Sequence, residues 1–159
     1  MLVKIKRIGI CGSDIHVYHG KHPYTKYPVT QGHEVSGQVA ALGEGVTQFQ
    51  VGQRVTIEPQ VYCGECYPCT HGKYNLCENL KVMGFQTTGT ASEYFAVDAS
   101  KVTALPAGMS YDEIRQYFFR KSSYPLDEMK KSGKLQRGDR MVLAGFGGGL
   151  TYGASLIEY

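Results

Sequence analysis

The chain has 159 residues and a formal net charge of +3, with 42% hydrophobic and 19% charged residues. This composition predicts a globular domain rather than a disordered chain. The net positive charge is small and its residues are scattered, which argues against a nucleic-acid partner. No apolar run approaches the roughly 20 residues that cross a bilayer, and the start lacks a secretory signal, so we expect a cytoplasmic protein without a membrane span.

The first hundred residues are predicted to be mainly β. Alternating or β-branched stretches, separated by glycine turns, indicate five short strands. Short strands at close spacing favour a barrel or sandwich over βαβ units. The predicted strands are Leu2–Ile10, Val35–Leu42, Arg54–Ile57, Ser92–Val97 and Lys101–Ala104.

The pattern changes after Pro106-Ala107-Gly108. An N-cap serine followed by acidic residues is typical of a helix start, and apolar residues follow there at helical spacing. The elements predicted in this part are a helix that starts at Ser110–Glu113, includes Ile114, Tyr117 and Phe118 and ends before Pro125, a short helix at Leu126–Lys131, strands at Met141–Ala144 and Thr151–Tyr159, and a glycine-rich loop at Gly145–Gly149.

Four of the five cysteines form the pattern Cys63-x2-Cys66-x2-Cys69-x7-Cys77. Zinc accepts four thiolates tetrahedrally, and this spacing lets one tight loop supply all four. The alternatives are an iron–sulfur cluster or four unligated thiols. The common bacterial iron–sulfur run ends with x3 and Cys-Pro, whereas here the last gap is x7 and Glu78 follows, which favours zinc. An odd cysteine total without a secretory signal argues against a disulfide framework.

A second cluster comprises Ile10-Cys11-Gly12-Ser13-Asp14-Ile15-His16 and Gly32-His33-Glu34. Alone, such a Cys and His would favour a buried cysteine and a satisfied histidine. Together with the cysteine lobe, however, they resemble the zinc-dependent alcohol and polyol dehydrogenases of the medium-chain family. The resemblance runs from about Leu2 to Glu113 and implies a GroES-like β-barrel. Its further motifs are Gly43-Glu44-Gly45-Val46, Gly52-Gln53-Arg54-Val55, Ala91-Ser92-Glu93-Tyr94 and Leu105-Pro106-Ala107-Gly108.

The resemblance implies roles for the second cluster. Cys11 and His33 would ligate a catalytic zinc, with Glu34 beside it as a ligand or an orienting carboxylate. Asp14 would support these ligands. The parent family acts on small-molecule alcohols with NAD(P), so zinc and, for that family, NAD(P) are the implied cofactors. A proton relay from the alcohol to solvent is implied for Ser13 and His16. Plain surface positions are expected for His19, His22 and His71.

Three departures from the family pattern bear on function. The usual first hairpin is absent, which predicts unpaired strand edges and a homo-oligomer. The register of the polyol enzymes places a later zinc ligand at Phe118, which cannot bind metal. A dinucleotide site needs Gly-x-Gly-x-x-Gly before a helix, whereas Gly145–Gly149 is followed by Leu150 and by few further residues. NAD binding by this chain alone is therefore not expected.

The tail, from Gly133-Lys134-Leu135 to the end, resembles the C-terminus of β-ketoacyl-acyl-carrier-protein synthase III. We interpret it as a strand–loop–strand packing element. The chain is thus predicted to be a truncated, chimeric dehydrogenase domain that is inactive alone; the alternative is a structural zinc-binding or self-associating module. The predicted segments are a GroES-like zinc domain (1–108), a helical join (109–132) and the synthase-like tail (133–159).

Overall fold

The computed structural model describes residues 1–111, 130–133, 135–146 and 152–158. The chain divides into two compact units, Met1–Phe119 and Arg120–Tyr159. The elements of the first unit are β1 (Leu2–Ile8), α1 (Gly12–Tyr18), β2 (Val35–Ala41), β3 (Arg54–Ile57), β4 (Gln60–Val61), α2 (Tyr67–Thr70), a 3-10 turn (Tyr74–Leu76), β5 (Lys81–Val82), β6 (Tyr94–Ala96), a second 3-10 turn (Ala99–Lys101) and β7 (Val102–Ala104).

The predicted mainly β architecture with short helices is confirmed. The strand at Arg54–Ile57 has the predicted bounds, and the other four strands lie within theirs, ending one or two residues short at one or both ends. They form a five-stranded sheet in the order β6-β1-β2-β3-β7, and each neighbouring pair is antiparallel. No helix in the described part of the chain is long and apolar enough to span a membrane.

The core of the first unit lies on one face of this sheet. Val3 of β1, Val39 of β2 and Val55 of β3 are each at most 1% exposed. Side chains alternate across a strand, so these valines meet on the face that is shielded from water. Burying each contributes about 1.5–3 kcal/mol. The core cluster comprises Val3, Val35, Val39, Phe49, Val55, Ile57, Met83, Val97 and Val102.

The cysteine lobe leaves the sheet through a small two-stranded ribbon. Strands β4 and β5 pair antiparallel, with Gln60 opposite Val82 and Val61 opposite Lys81. Residues 62–80 lie between them and contain α2 and the first 3-10 turn. The ribbon therefore fixes both ends of the lobe.

The second unit contains an antiparallel pair, β8 (Arg140–Phe146) and β9 (Tyr152–Glu158), with Arg140 opposite Glu158 and Phe146 opposite Tyr152. The two predicted tail strands are thus present. The predicted loop starts too early, because Gly145 pairs with Gly153 inside the ladder. Most of the helix predicted from Ser110, including Phe118, and the centre of the tail loop lie outside the described residues. Of the second predicted helix, only Lys130 and Lys131 are described, and both are helical.

Candidate metal centres

The pairing of β1 and β2 brings together the two halves of the second cluster. The strands are antiparallel, with Ile8 opposite Val35. The end of β1 therefore lies beside the start of β2. Cys11 follows the first strand and His33 precedes the second, so the sheet register closes the sequence gap between them.

Asp14 links the two residues. Helix α1 starts directly after Cys11, whose backbone N–H donates to Asp14 Oδ2 at 2.8 Å. This bond satisfies a donor at the helix N-terminus and fixes the first turn. The other oxygen, Asp14 Oδ1, lies 3.4 Å from His33 Nδ1. Asp14 is only 8% exposed, so one buried carboxylate holds both Cys11 and His33 in position.

Close backbone packing places His33. The residue before it, Gly32, has φ +98°, and a Cβ there would lie 2.8 Å from the backbone nitrogen of Ala91. A Cβ on Gly89 would lie 2.3 Å from the Gln31 carbonyl oxygen, and the Ala91 N–H donates to that same carbonyl at 3.0 Å. Only glycine tolerates such contacts and the left-handed conformation. The two glycines therefore allow the backbone of Gly89–Ala91 to pack directly against Gln31 and Gly32, the residues that precede His33.

The electrostatics of this cluster favour a charged pair. Burial disfavours the charged form of His33, but hydrogen bonds with Asp14 and Cys11 outweigh it and raise the pKa of His33 above 6.5. Burial likewise opposes ionisation of Asp14, yet its bonds to His33 and to the Cys11 backbone lower its pKa below 3.8. Burial raises the pKa of Cys11, but hydrogen bonds from the side chain and backbone of Ser13 prevail and bring it below 9.0.

The donors present here fit a divalent metal ion. Cys11, His33 and Glu34 each offer one ligand atom, and these atoms all lie within 4.8 Å of one another. Nε2 of His33 lies 3.9 Å from Glu34 Oε1, while Nδ1 faces Asp14. Metal-binding histidines commonly give their second ring nitrogen to a carboxylate in this way. A thiolate, an imidazole and a carboxylate suit zinc, and three protein ligands leave a fourth position for substrate.

Two predicted relay residues lie on α1. Ser13 is half-buried in its first turn and hydrogen-bonds Cys11. His16 lies in the last turn, is exposed, and accepts the Lys21 N–H at its carbonyl at 2.8 Å. The structure therefore brings Ser13 to the candidate ligand and leaves His16 open to solvent. A relay through them stays a prediction.

An aromatic stack that sequence reasoning missed packs against His33. The ring of Phe85 lies 4.8 Å from that of His33, and His22 stacks on Phe85 at 4.7 Å with 11° between the ring planes. Phe85 is 7% exposed. The expectation that His22 is a plain surface residue is wrong, since it is half-buried and part of this stack. No local sequence pattern marks Phe85, because its neighbours in the stack come from distant segments.

Helix α1 also borders an apolar groove of about 320 Å³. Its lining includes Ile8, Ile10, Ile15 and Tyr18, together with Asp14. Ile10 is 75% exposed and Tyr18 is 80% exposed. Asp14 is thus shared by the polar cluster and an apolar surface.

The four sulfurs of the cysteine lobe converge as predicted. All four lie within 4.8 Å of one another. Cys63 Sγ is 3.5 Å from Cys77 Sγ and 4.0 Å from Cys69 Sγ. A zinc tetrahedron with bonds of 2.3 Å has edges of about 3.8 Å, so these separations fit a ZnS₄ site. A disulfide would need about 2.05 Å, and all five cysteines are free.

The thiols of the lobe differ in acidity. Backbone N–H groups of Glu65 and Cys66 lower the pKa of Cys63 to about 6. Burial and a hydrogen bond with Cys66 raise the pKa of Cys69 to about 12. Without metal, Cys63 therefore ionises at a lower pH than Cys69. Zinc is bound by thiolates rather than thiols, so the zinc affinity of the lobe falls as the pH falls.

A cation–π contact ties the lobe to the sheet. Lys101, in the turn before β7, places Nζ 3.3 Å from the centroid of the Tyr62 ring. Tyr62 immediately precedes Cys63, and its ring lies 5.0 Å from that of Tyr74 within the lobe. A desolvated contact of this kind contributes about 2 kcal/mol. The position of the lobe is thus fixed by side chains as well as by the β4–β5 ribbon.

Comparison with known families gives two matches. Residues 1–107 match the family described as "Alcohol dehydrogenase GroES-like domain". Residues 122–159 match the one described as "3-Oxoacyl-[acyl-carrier-protein (ACP)] synthase III C terminal". The first covers more than half of the chain; the second is a short match confined to the tail.

Curated relatives resemble the same part of the chain. The starvation-sensing protein RspB of Escherichia coli K12 is 47% identical over 108 residues, which are 68% of this chain and 32% of RspB. Sorbitol dehydrogenase of Halalkalibacterium halodurans is 48% identical over 108 residues, 67% of this chain and 31% of that enzyme. The chain thus spans about a third of their length.

A solved structure agrees with this match. The alcohol dehydrogenase rspB of Escherichia coli CFT073, in complex with NADH, superposes with a TM-score of 0.65 and 43% identity. The match covers 72% of this chain and 33% of that one.

Proposed function

Because the chain belongs to the family of alcohol dehydrogenase GroES-like domains, we propose that it is the zinc-binding catalytic-type domain of an NAD(P)-dependent alcohol or polyol dehydrogenase. The observation that carries this proposal is the convergence of Cys11, His33 and Glu34 around a common point. The buried carboxylate of Asp14 orients His33 from behind. A domain in which zinc only stabilises the fold would not require this cluster of metal-binding side chains in addition to the four cysteines of the lobe.

Each residue has a distinct role in the proposed chemistry. Zinc, when bound, supplies Lewis-acid polarisation of the alcohol oxygen. Cys11, His33 and Glu34 hold the ion. The oxygen of the Ser13 hydroxyl, beside Cys11, accepts the alcohol proton while the hydroxyl's own proton passes to the His16 imidazole, which releases it to solvent. An imidazole suits this step because its pKa lies near neutrality.

The oxidation also needs a hydride acceptor. We propose NAD(P) in this role, as supported by the NADH complex of the similar rspB structure. The matched relatives are about three times as long as the matched segment. Catalysis is therefore proposed for the domain together with a nucleotide-binding part, with a small-molecule alcohol as substrate.

The cysteine lobe is proposed to hold a second, structural zinc. Its ligands are Cys63, Cys66, Cys69 and Cys77, which satisfy all four positions of the ion. The apparent binding free energy of structural zinc is about 10–16 kcal/mol in small modules. That is comparable with the total stability of a domain, about 5–15 kcal/mol, so the ion should determine whether the lobe is ordered.

Metal stoichiometry tests both sites. The purified chain is expected to bind two zinc ions, and Cys11→Ser and Cys77→Ser are each expected to bind one. The two variants are matched, since each removes a single sulfur. Cobalt substitution distinguishes the sites by their absorption, because four thiolates give stronger ligand-to-metal bands than one. Two ions in Cys11→Ser would refute the catalytic site without affecting the lobe.

The alternative is a structural zinc-binding or self-associating module. It is favoured by the lobe, whose four-thiol site is complete without the second cluster. This alternative predicts one zinc in the wild-type chain and none in Cys77→Ser. The same metal measurement therefore separates the two functions.

The organisation of the chain is also a proposal. We propose a zinc domain at 1–108, a join at 109–132 and a synthase-like tail at 133–159; the separate family match over 122–159 supports a tail of different origin. In the five-stranded sheet the edge strands are β6 and β7. A homo-oligomer formed through such edges, in the cytoplasm, remains a prediction that sedimentation can test.

A further inference from the structure

The orientation of the His33 ring depends on more than its carboxylate partner. Asp14 Oδ1 lies 3.4 Å from Nδ1, while Nε2 lies on the side of Glu34, 3.9 Å from Oε1. A contact at one ring atom still lets the plane of the ring turn, because the outer torsion of a histidine side chain has broad minima. The position of Nε2, the nitrogen that would bind metal, is therefore set in part by what packs against the ring.

Phe85 supplies that packing. Its ring centroid lies 4.8 Å from that of His33, with 48° between the planes, and Phe85 is 7% exposed. The backbones beside the two rings are also in contact. A Cβ on Gly84 would lie 3.1 Å from the backbone nitrogen of Gly32, the residue before His33. Phe85 is thus held close enough to restrict the His33 ring.

His22 in turn covers the ring of Phe85. The two rings stack at 4.7 Å with only 11° between their planes. The His22 ring is itself fixed, because its Nδ1 lies 2.7 Å from the Thr25 hydroxyl. The residue before it is tied to the end of α1, where the Lys21 N–H donates to the His16 carbonyl at 2.8 Å. His22 is half-buried, so it shields Phe85 from solvent on this side.

Three segments that are distant in the chain therefore meet in one row of rings: His22, Phe85 and His33. Without the His22 ring, Phe85 would lose a packing partner and could adopt more orientations. The plane of the His33 ring would then be less restricted. Metal-binding side chains must be held within about 0.5 Å and 10–20° of their working geometry, so a looser ring binds the ion more weakly.

We infer that His22 is a positioning residue of the proposed catalytic metal centre, and that it acts through Phe85 to fix the plane of the His33 ring. This inference rests on the proposed function and deepens it by adding a residue that is not a ligand. The contribution comes from the flat His22 ring rather than from its nitrogens or its charge. One aromatic stack changes an equilibrium constant by about 2–10-fold, which sets the size of the expected effect.

The test is a cobalt titration of chain whose lobe already holds zinc, in competition with a chelator. His22→Ala is expected to bind cobalt at the second centre about 2–10-fold more weakly, with altered ligand-field bands, since these report the coordination geometry. His22→Phe keeps a flat ring and should restore the wild-type affinity and bands. His22→Asn keeps a group that can bond the Thr25 hydroxyl but has no ring, so it should behave like His22→Ala.

His71→Ala is the matched control. His71 also stacks on an aromatic ring, that of Tyr67, at 4.0 Å with 29° between the planes. It lies in the cysteine lobe and is exposed. Its removal should leave cobalt binding at the second centre unchanged. An equal loss in His71→Ala would overturn the inference, because the effect would then not depend on the stack at His33.

A double-mutant cycle tests whether His22 acts through Phe85. Phe85→Leu removes the ring but keeps an apolar side chain of similar volume in the buried position. Once the ring is gone, adding His22→Ala should cause no further loss of cobalt affinity. Losses that add up in the double variant would overturn the inference. So would a wild-type affinity in His22→Ala, or a failure of His22→Phe to restore it.

NMR of the chain without metal at the second centre gives a readout that is independent of that metal. Nuclear Overhauser contacts between the rings of Phe85 and His33 should weaken in His22→Ala and persist in His22→Phe; unchanged contacts in His22→Ala would overturn the inference. The two proposals fail in different ways. If the wild-type chain shows no Cys11-dependent cobalt band, the proposed catalytic centre fails and this inference falls with it. If the band is present but His22→Ala binds cobalt like the wild type, only the positioning role is refuted.

Discussion

The substitution Asp14→Asn tests how the second metal centre is held together. Asparagine has nearly the same size as aspartate, so the buried position remains filled. Its one oxygen can still accept the Cys11 backbone N–H, which now bonds Asp14 Oδ2 at 2.8 Å. Its NH₂ group would then face His33 Nδ1, where Asp14 Oδ1 now lies at 3.4 Å. An NH₂ group cannot accept a hydrogen bond from that ring nitrogen.

The expected cost follows from these two contacts. A hydrogen bond that involves a charged group contributes about 1.5–3 kcal/mol. The substitution weakens the one from the Cys11 N–H and removes the electrostatic contact between Asp14 Oδ1 and His33 Nδ1. Loss of a carboxylate that orients a metal-binding histidine typically lowers metal affinity by about 10–100-fold. We therefore expect Asp14→Asn to bind metal at Cys11, His33 and Glu34 about 10–100-fold more weakly, with the cysteine lobe still fully loaded.

The assay is a cobalt titration of chain whose lobe already holds zinc, in competition with a chelator of known affinity. Asp98→Asn is the matched control. Asp98 also accepts a backbone N–H at a helical N-terminus, that of Ser100 at 2.8 Å, but it lies in the turn before β7. The control should bind cobalt like the wild type.

Two outcomes would refute the reasoning. An unchanged cobalt affinity in Asp14→Asn would show that the carboxylate does not orient His33. An equal loss in Asp98→Asn would show that the effect is general destabilisation rather than loss of a specific contact.

Three further predictions follow from the fold. Val55→Ala, in the centre of the core, should lower the free energy of unfolding by about 2–3 kcal/mol; urea denaturation measures this, and exposed Val51→Ala should change it by less than about 0.5 kcal/mol. Gly32→Ala should abolish the second metal ion, because alanine is strained at φ +98° and its Cβ would lie 2.8 Å from backbone; normal two-metal binding would contradict this. In metal-free chain, the raised His33 pKa adds stability below 6.5 that is lost as the pH rises through the folded value. The lowered Asp14 pKa adds stability above 3.8 that is lost as the pH falls through the folded value, so the pair should contribute most between about pH 4 and pH 6.5, and Asp14→Asn should remove this dependence.

Sequence patterns located the five strands of the main sheet, because the alternation of buried and exposed residues is visible within each strand, but they missed the two-residue strands β4 and β5, which are too short to show it. Val3 and Val39 occupy positions where alternation places them on the buried face. The first and last residues of the strands were predicted less well, because the neighbouring strand in the sheet decides where a strand ends. Gly145 shows this: it has loop character alone, yet it pairs with Gly153 in the ladder.

The two metal centres differ in how far sequence alone could predict them. The cysteine ligands lie within one short stretch, so their spacing restricts the loop conformations and indicates a common ion. Cys11 and His33 are far apart in the chain, and nothing local requires them to meet. Their pairing was expected only from a family resemblance; the structure brings them together because Ile8 lies opposite Val35 in the sheet.

The amino-acid sequence by itself determined the mainly β character and the four-thiol lobe, because these depend on short-range periodicity and spacing. Cys11, His33 and Glu34 were named as candidate ligands only through the family resemblance. Only the tertiary structure decided that Asp14 contacts both Cys11 and His33. It alone also placed His22 on Phe85 beside the site. Such contacts join segments that are distant in the chain, and the direction of a side chain depends on the packing of all the elements around it.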